Sequence, residues 1–415
     1  MAGRAGGTVA EAAGAATWCG GRVDGWDTMR LVSRLVATEQ VAQEYGPEGH
    51  PTVRSDSVGW REALPRLLAI FLVSRLLVLL VAGSLLAIPV GHDPDTWTDR
   101  PILAALTGSD AVYYLGIAAD GYHEEAIRDG YHDWAFFPLF PIVVRAVSLV
   151  TLGDLAVAGV LASNLAFLAA LLVLHALAVP YLGRERSIRA LGLLALAPGA
   201  VAFAMAYSDS LYLLLAAGAF LAGERRRWGV AGILYGLASL TRLPGVLIGL
   251  PLAILLLQSS GWRPDRRLAW LAAGPAALAG FGAWQGRALG DPLAFLHAQG
   301  AWAIAPLVGG ESAPAQLEVL PLLLVATLLA YTFLLVYLRP DRIPLPYAVL
   351  TILSLGTVVA SLRLQSVARY LAVAWPFAWI LAGRRGAWFV DAWPYLTAGL
   401  FALHAFLHFT QALAP

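Results

Sequence analysis

From Arg66 onward the sequence is a succession of apolar runs, each about 14–25 residues long, separated by short polar or arginine-containing connections. A run of about 20 apolar residues spans the hydrocarbon core of a bilayer as a helix, because only a helix satisfies its own backbone hydrogen bonds there. The sequence therefore predicts an all-α polytopic membrane protein with about 11 transmembrane helices. The candidate spans lie near residues 66–90, 155–180, 188–204, 208–223, 229–241, 245–258, 267–286, 317–338, 344–361, 368–383 and 389–410.

The composition excludes several other classes of protein. Hydrophobic residues make up 59% of the 415 residues and charged residues only 13%, whereas a soluble domain has about 45–50% and about 25%. A net charge of +1 argues against a nucleic-acid-binding protein. The single cysteine, Cys19, excludes an intrachain disulfide and a Cys-x-x-Cys metal or redox motif.

Residues 1–60 differ from the rest of the chain. They are rich in glycine and alanine, polar and without helical periodicity, and they contain no signal-peptide apolar core. We expect either a disordered cytoplasmic tail or an over-long start, since Met29 offers a later one. Residues 61–415 then form the transmembrane domain.

The arginines predict the orientation. Most of them lie in short connections that alternate along the chain, and the positive-inside tendency assigns these connections to the cytoplasm. The first large extracytoplasmic loop is then 91–135 and the second is 287–316. To keep this alternation, the run 136–152 has to be a juxtamembrane or re-entrant helix. The short runs 229–241 and 245–258 have to be half-depth helices that meet at residues 241–245.

The 91–135 loop carries nine acidic residues against two arginines. Asp110 is followed closely by Tyr113, Tyr114 and Tyr122. A carboxylate beside aromatic platforms suits a sugar site, in which the carboxylate acts as a base for a hydroxyl and the rings face the pyranose. The alternative is a solvated acidic loop whose aromatic residues lie at the membrane interface.

Three further charged residues lie in breaks between apolar runs on the same predicted side. Asp209, in the turn Tyr207–Ser210, is a candidate second acid, or it caps the next helix. Arg242 and Arg369 oppose the positive-inside tendency. They could grip a phosphate, or their side chains could extend to the membrane interface. The histidines of the outer loops have no metal-ligand spacing, and we expect no metal site.

Five motifs, in order and at family-like spacing over residues 66–385, resemble the bacterial branch of the PIG-V-like GPI mannosyltransferase II family, whose members have the GT-C fold. The motifs lie in 110–122 with 136–141, in 207–210, in 241–245, in 290–302, and in 369–376. The resemblance implies a GT-C-like architecture with a long first extracytoplasmic loop and juxtamembrane helices. It gives Asp110 the catalytic acidic position and Arg242 and Arg369 contacts to a carrier phosphate. It adds Gln299, Trp302 and Tyr370 as substrate-binding residues.

The resemblance implies a glycosyltransferase that takes mannose from polyprenyl-phosphate-mannose and passes it, with inversion, to a glycolipid or glycan acceptor. The lipid-linked sugar is a substrate, and no cofactor is expected. The predicted location is the bacterial plasma membrane, with the active site extracytoplasmic. Two alternatives stay open: a transporter of a lipid or polyol, and a non-catalytic family member in an envelope-glycan assembly complex. Ser109 and Ile304, which depart from the family pattern, favour the second alternative.

Overall fold

The computed structural model describes residues 58–85, 97–125, 132–299, 343–361, 367–382 and 393–409, all of which belong to one compact unit. These residues form helices and no β-strand, which confirms the all-α prediction for the described part of the chain. The predicted span 317–338, Trp302 and most of the predicted tail 1–60 lie outside it. The helices are α1 Trp60–Ser84, α2 Pro101–Leu106, α3 Asp110–Asp120, α4 Leu139–Ser148, α5 Leu155–Leu182, α6 Arg184–Ala195, α7 Asp209–Glu224, α8 Trp228–Ser239, α9 Gly249–Ser259, α10 Ala273–Ala288, α11 Ala294–His297, α12 Leu345–Ser361, α13 Val367–Val373, α14 Trp375–Ala382 and α15 Trp393–Phe409, with 3-10 helices at Asp133–Ala135, Pro198–Phe203, Leu243–Ile248 and Arg266–Ala272.

Two of the described helices, α1 and α5, are long and apolar enough to cross a membrane by length and composition. The number of 11 spans stays a prediction. Several predicted spans are divided in the structure. The run 188–204 consists of the end of α6 and a separate 3-10 helix, because Pro198 cannot donate the next backbone hydrogen bond. The run 368–383 is likewise divided between α13 and α14, and Pro376 is the second residue of α14.

Small residues allow the central helices to approach closely. Helices α5 and α7 form the most extensive contact among the described elements, and α8 also packs against α7. A Cβ atom added at Gly159 of α5 would lie 2.8 Å from the Cβ of Ala206, just before α7. Close packing of small side chains is the usual means of holding apolar helices together.

The described residues between 97 and 152 form three short α-helices, α2, α3 and α4, each of which contacts α5. Arg145 of α4 donates hydrogen bonds to the carbonyl oxygens of Ala118 and Ala119 at 3.0 and 3.1 Å. These carbonyls are at the C-terminal end of α3, where a cation is favourable. Arg145 thereby fixes the helix whose first residue is Asp110.

Candidate active site

The central feature of the site is the buried carboxylate of Asp209, the first residue of α7. Its side chain is 0% exposed and accepts hydrogen bonds from two arginines. Oδ2 accepts from Nε of Arg369 at 2.8 Å and is 2.7 Å from Nη2 of the same residue. Oδ1 accepts from Nη1 of Arg242. Asp209 thus fixes the position of both guanidinium groups.

Asp110 adds a second carboxylate beside these three side chains. Its Oδ2 lies 2.5 Å from Nη1 of Arg369, so this arginine bridges the two acids. Together, Asp110, Asp209, Arg242 and Arg369 form the charge cluster of the site. The Asp110 side chain is 15% exposed and is the most accessible of the four.

Each arginine also lies over an aromatic ring. The guanidinium carbon of Arg369 is 4.5 Å from the ring centroid of Tyr207, and that of Arg242 is 5.2 Å from the ring centroid of Tyr370. Such contacts stabilise a weakly hydrated cation where water is scarce. The charge cluster holds two acidic and two basic groups, so its formal charges balance, as buried charges require.

The backbone of Arg369 is set by a glycine in a distant segment. Gly199, in the 3-10 helix Pro198–Phe203, packs directly against the backbone of Ala368 and Arg369. A Cβ atom built on Gly199 would lie 2.0 Å from the Ala368 carbonyl oxygen. A residue with a side chain cannot occupy this position unless α13 moves.

The three predicted tyrosine platforms lie in different surroundings. The ring of Tyr113 is stacked on Phe136 with centroids 4.7 Å apart, and the Tyr114 and Ser208 hydroxyls form a hydrogen bond of 2.7 Å. Both tyrosines are buried. Tyr122 is half-buried and donates its hydroxyl hydrogen to the Phe136 carbonyl at 2.7 Å. A role in sugar binding stays a prediction for all three.

Of the substrate-binding residues that the resemblance adds, Tyr370 contacts the charge cluster and Gln299 forms its hydrogen bond elsewhere. Tyr370 lies under Arg242, whereas Gln299 donates to the Ala135 carbonyl at 3.2 Å, in the turn that ends the first loop. Trp302 lies outside the described residues. Their substrate-binding roles stay predictions.

The sequence did not indicate Tyr207 or Gly199 as site residues. The only signal for Gly199 was the Pro198-Gly199 pair inside an apolar run.

Among the described residues, no group of three or more histidine, cysteine, aspartate or glutamate side chains could hold a metal ion. Independence of a metal stays a prediction.

Comparison with known proteins identifies one family. Residues 94–257, less than half of the chain, match the family described as Mannosyltransferase (PIG-V). This segment includes both acids and one arginine of the charge cluster, but not Arg369. None of the curated proteins matches the chain in sequence.

Solved structures of an oligosaccharyltransferase from Archaeoglobus fulgidus are also similar. The form tethered to an acceptor peptide is 13% identical, with a TM-score of 0.47, over 84% of this chain and 56% of that chain. The complex of AglB with an inhibitory peptide and a dolichol-phosphate is 13% identical, with a TM-score of 0.48, over 85% and 56%. This chain thus spans little more than half the length of those proteins.

The family match and the apolar helices together support a membrane location. The match of residues 94–257 confirms the resemblance of the motifs to the mannosyltransferase (PIG-V) family, and it supports the predicted enzyme class, a glycosyltransferase.

Proposed function

We propose that the protein transfers mannose from polyprenyl-phosphate-mannose to a hydroxyl of a glycolipid or glycan acceptor, with inversion, on the extracytoplasmic face of a bacterial plasma membrane. The observation that carries the proposal is the charge cluster. It combines an accessible carboxylate with two arginines in a mainly apolar protein, and these are the groups that a lipid-phosphate sugar donor and a hydroxyl acceptor require.

Asp110 is the general base. As the acceptor oxygen attacks the anomeric carbon, its proton passes to the Asp110 carboxylate, the new glycosidic bond forms and the bond between the anomeric carbon and the phosphate oxygen breaks. The electron pair of the broken bond leaves on the phosphate. A single displacement of this kind inverts the anomeric centre and needs no nucleophile from the protein.

The charges of the cluster suit this step. The donor is a phosphodiester with one negative charge, and the departing phosphomonoester carries one more when fully ionised. Protonation of Asp110 removes one negative charge from the cluster at the same time. Arg369, which Asp110 holds at 2.5 Å before the reaction, is then released to the phosphate. The total charge of the site is unchanged, which limits the electrostatic cost in a water-poor environment.

Asp209 is a positioning residue in this mechanism. Both of its carboxylate oxygens are engaged by the arginines, and its side chain is fully buried. A base has to reach the acceptor hydroxyl, and Asp110 is the more accessible of the two acids. We therefore assign Asp110 to proton transfer and Asp209 to holding Arg242 and Arg369 in place.

The test uses membranes that carry the full-length protein, incubated with radiolabelled polyprenyl-phosphate-mannose and an envelope extract. Wild-type protein is expected to move label into an acceptor fraction, and Asp110→Asn is expected to abolish the transfer. Asp265→Asn is the matched control, because Asp265 is an aspartate paired with an arginine outside the cluster. The proposal fails if wild type transfers no label, or if Asp110→Asn transfers as much as Asp265→Asn while inserted at the same level.

A further inference from the structure

The side chain of Tyr207 lies inside the protein with its hydroxyl group unpaired. The residue is 0% exposed, and its hydroxyl has no hydrogen-bond partner among the described residues. Burying a hydroxyl without a partner costs stability, so such a group requires an explanation. Three other buried tyrosines have a hydrogen-bond partner for the hydroxyl, namely Tyr114, Tyr235 and Tyr347. The hydroxyl of Tyr207 thus contributes no hydrogen bond to the described part of the fold.

The position of Tyr207 is fixed by its backbone and its ring. Its carbonyl oxygen accepts a hydrogen bond from Oγ of Ser163 in α5 at 2.8 Å. The preceding residue, Ala206, donates its backbone N–H to the Leu106 carbonyl at 2.9 Å. The guanidinium carbon of Arg369 lies 4.5 Å from the ring centroid. Since none of these contacts involves the hydroxyl, we expect the ring to stay in place when the hydroxyl is removed.

The hydroxyl is a hydrogen-bond donor at neutral pH. Burial raises the pKa of the Tyr207 phenol, and the Asp110 carboxylate raises it further, whereas Arg369 lowers it. The Ser109 hydroxyl and the backbone N–H of Asp110 also lower this pKa, as groups that donate towards the phenol oxygen do. Because burial outweighs the lowering contributions, the phenol keeps its hydrogen and can donate it.

An anion bound at Arg369 is the acceptor that suits this donor. Both carboxylate oxygens of Asp209 and Oδ2 of Asp110 are already engaged by arginines. A hydrogen bond to an anion is roughly twice as strong as one between neutral groups. The phenol is uncharged, so it can bind an anion without competing with Asp110 and Asp209 for the arginines.

We propose that Tyr207 is a further catalytic residue, whose hydroxyl donates a hydrogen bond to the phosphate of the lipid-linked sugar donor. The inference rests on the proposed function, in which Arg369 binds the departing phosphate, and it extends that function by a neutral hydrogen-bond donor. The phosphate gains negative charge as its bond to the anomeric carbon breaks. The hydrogen bond therefore strengthens in the transition state, and it accelerates the reaction more than it tightens substrate binding.

Tyr207→Phe removes the hydroxyl and keeps the ring against Arg369. Because the described fold loses no hydrogen bond, the unfolding temperature of the detergent-purified full-length protein should not fall. The kcat of mannosyl transfer should fall about 10- to 100-fold. The KM for polyprenyl-phosphate-mannose should change by less than about threefold, because the contact forms mainly in the transition state.

A second measurement on the same variant needs no turnover. Isothermal titration calorimetry compares the binding of polyprenyl phosphate, whose phosphate is the charged product, with that of uncharged polyprenol. Tyr207→Phe should bind polyprenyl phosphate about tenfold more weakly than wild type does and bind polyprenol equally well. A tyrosine that only packs against its neighbours would change neither.

Tyr347→Phe is the matched control. Tyr347 is also 0% exposed, and its hydroxyl donates to Oε1 of Glu224 at 2.8 Å. Asp209 begins α7 and Glu224 ends it, so at a rise of about 1.5 Å per residue Glu224 lies about 22 Å from Asp209. Tyr347→Phe should lower the unfolding temperature, because it removes a hydrogen bond, and it should leave kcat and polyprenyl phosphate binding unchanged.

The inference is wrong if Tyr207→Phe transfers mannose or binds polyprenyl phosphate as wild type does, or if it lowers the unfolding temperature as much as Tyr347→Phe. It is also wrong if wild type binds no polyprenyl phosphate. Its failure is distinguishable from failure of the proposed function. A protein that transfers mannose equally well with Tyr207→Phe retains the function and loses the inference. A protein that moves no mannose, but whose polyprenyl phosphate binding is weakened by Tyr207→Phe, retains the phosphate contact and loses the function.

Discussion

Gly199→Ala should reduce transfer activity although Gly199 lies outside the charge cluster. A Cβ atom at this position would lie 2.0 Å from the carbonyl oxygen of Ala368, 2.1 Å from its carbonyl carbon and 2.4 Å from the backbone nitrogen of Arg369. All three are backbone atoms, so no side-chain rotation relieves the overlap. Because ordinary contact begins at 3.4 Å, α13 and the 3-10 helix have to separate by about 1 Å or more.

A shift of that size affects the interactions of Arg369 directly. Its contacts to Asp110 and Asp209 are 2.5–2.8 Å long, and a hydrogen bond is largely lost once it lengthens by about 1 Å. Overpacking typically costs about 1–3 kcal/mol of stability. Misplacement of a catalytic group by about 1 Å can cost about 100-fold in rate. We therefore expect a large loss of activity with a moderate loss of stability.

The assay is mannosyl transfer per folded molecule, with thermal unfolding of the detergent-purified protein as the measure of stability. Gly356→Ala is the matched control, because Gly356 lies in helix α12 and a Cβ atom there meets nothing within 4 Å. That change should raise stability by about 0.5–1 kcal/mol, as alanine does in a helix interior, and leave transfer unchanged. If Gly199→Ala transfers at the wild-type rate per folded molecule, the close approach does not set the position of Arg369, and the reasoning is refuted.

Three further changes test the framework around the site. Asp154 accepts the backbone N–H of Val157 as the N-cap of α5, and this hydrogen bond, more than the pairing with Arg100, lowers the pKa of its carboxyl. Asp154→Ala should cost about 1 kcal/mol at neutral pH. Because the folded pKa is lowered, the ionised carboxylate stabilises the fold above its unfolded pKa of about 3.9, and this contribution is lost as the pH falls through the folded pKa. Thermal unfolding at several pH values should show that the difference in unfolding temperature between wild type and Asp154→Ala becomes smaller at acid pH. Gly159→Ala should lower the unfolding temperature, since the new Cβ atom would lie 2.8 Å from that of Ala206. Arg75→Met should destabilise the fold by about 1–3 kcal/mol, because Nη1 of Arg75 donates a hydrogen bond of 3.0 Å to Oδ1 of Asn164 and the variant removes this donor. An unchanged unfolding temperature would contradict this reasoning.

The helical character of the chain could be predicted because it depends on local chemistry. Apolar runs with few breakers form helices wherever water cannot satisfy the backbone. Helix α5 follows the predicted run 155–180 closely, whereas α1 begins six residues before the predicted run 66–90. The helix ends within the divided runs could not be predicted as reliably. A proline such as Pro198 indicates that a helix is interrupted, but whether the chain continues as a 3-10 helix depends on what packs against it.

The candidate site could likewise be predicted only in part. The sequence suggested Arg242 and Arg369 because charged residues between apolar runs are costly and usually have a function. It suggested Asp110 through the aromatic residues that follow it, and Asp209 through its position on the same predicted side. Sequence did not indicate that Arg369 bridges both acids, since Asp110 and Arg369 are 259 positions apart. That pairing depends on the packing of α13 against the 3-10 helix at Gly199.

The sequence by itself determined that the chain is apolar and that its described part is helical, and it singled out the four charged residues of the cluster as candidates. Only the tertiary structure decided which of these charges pair, which acid stays accessible and which tyrosine ring lies against Arg369. The physical reason is that helix formation depends on neighbours within a few residues, whereas ion pairing and burial depend on contacts between distant segments. Those contacts form only when the helices pack.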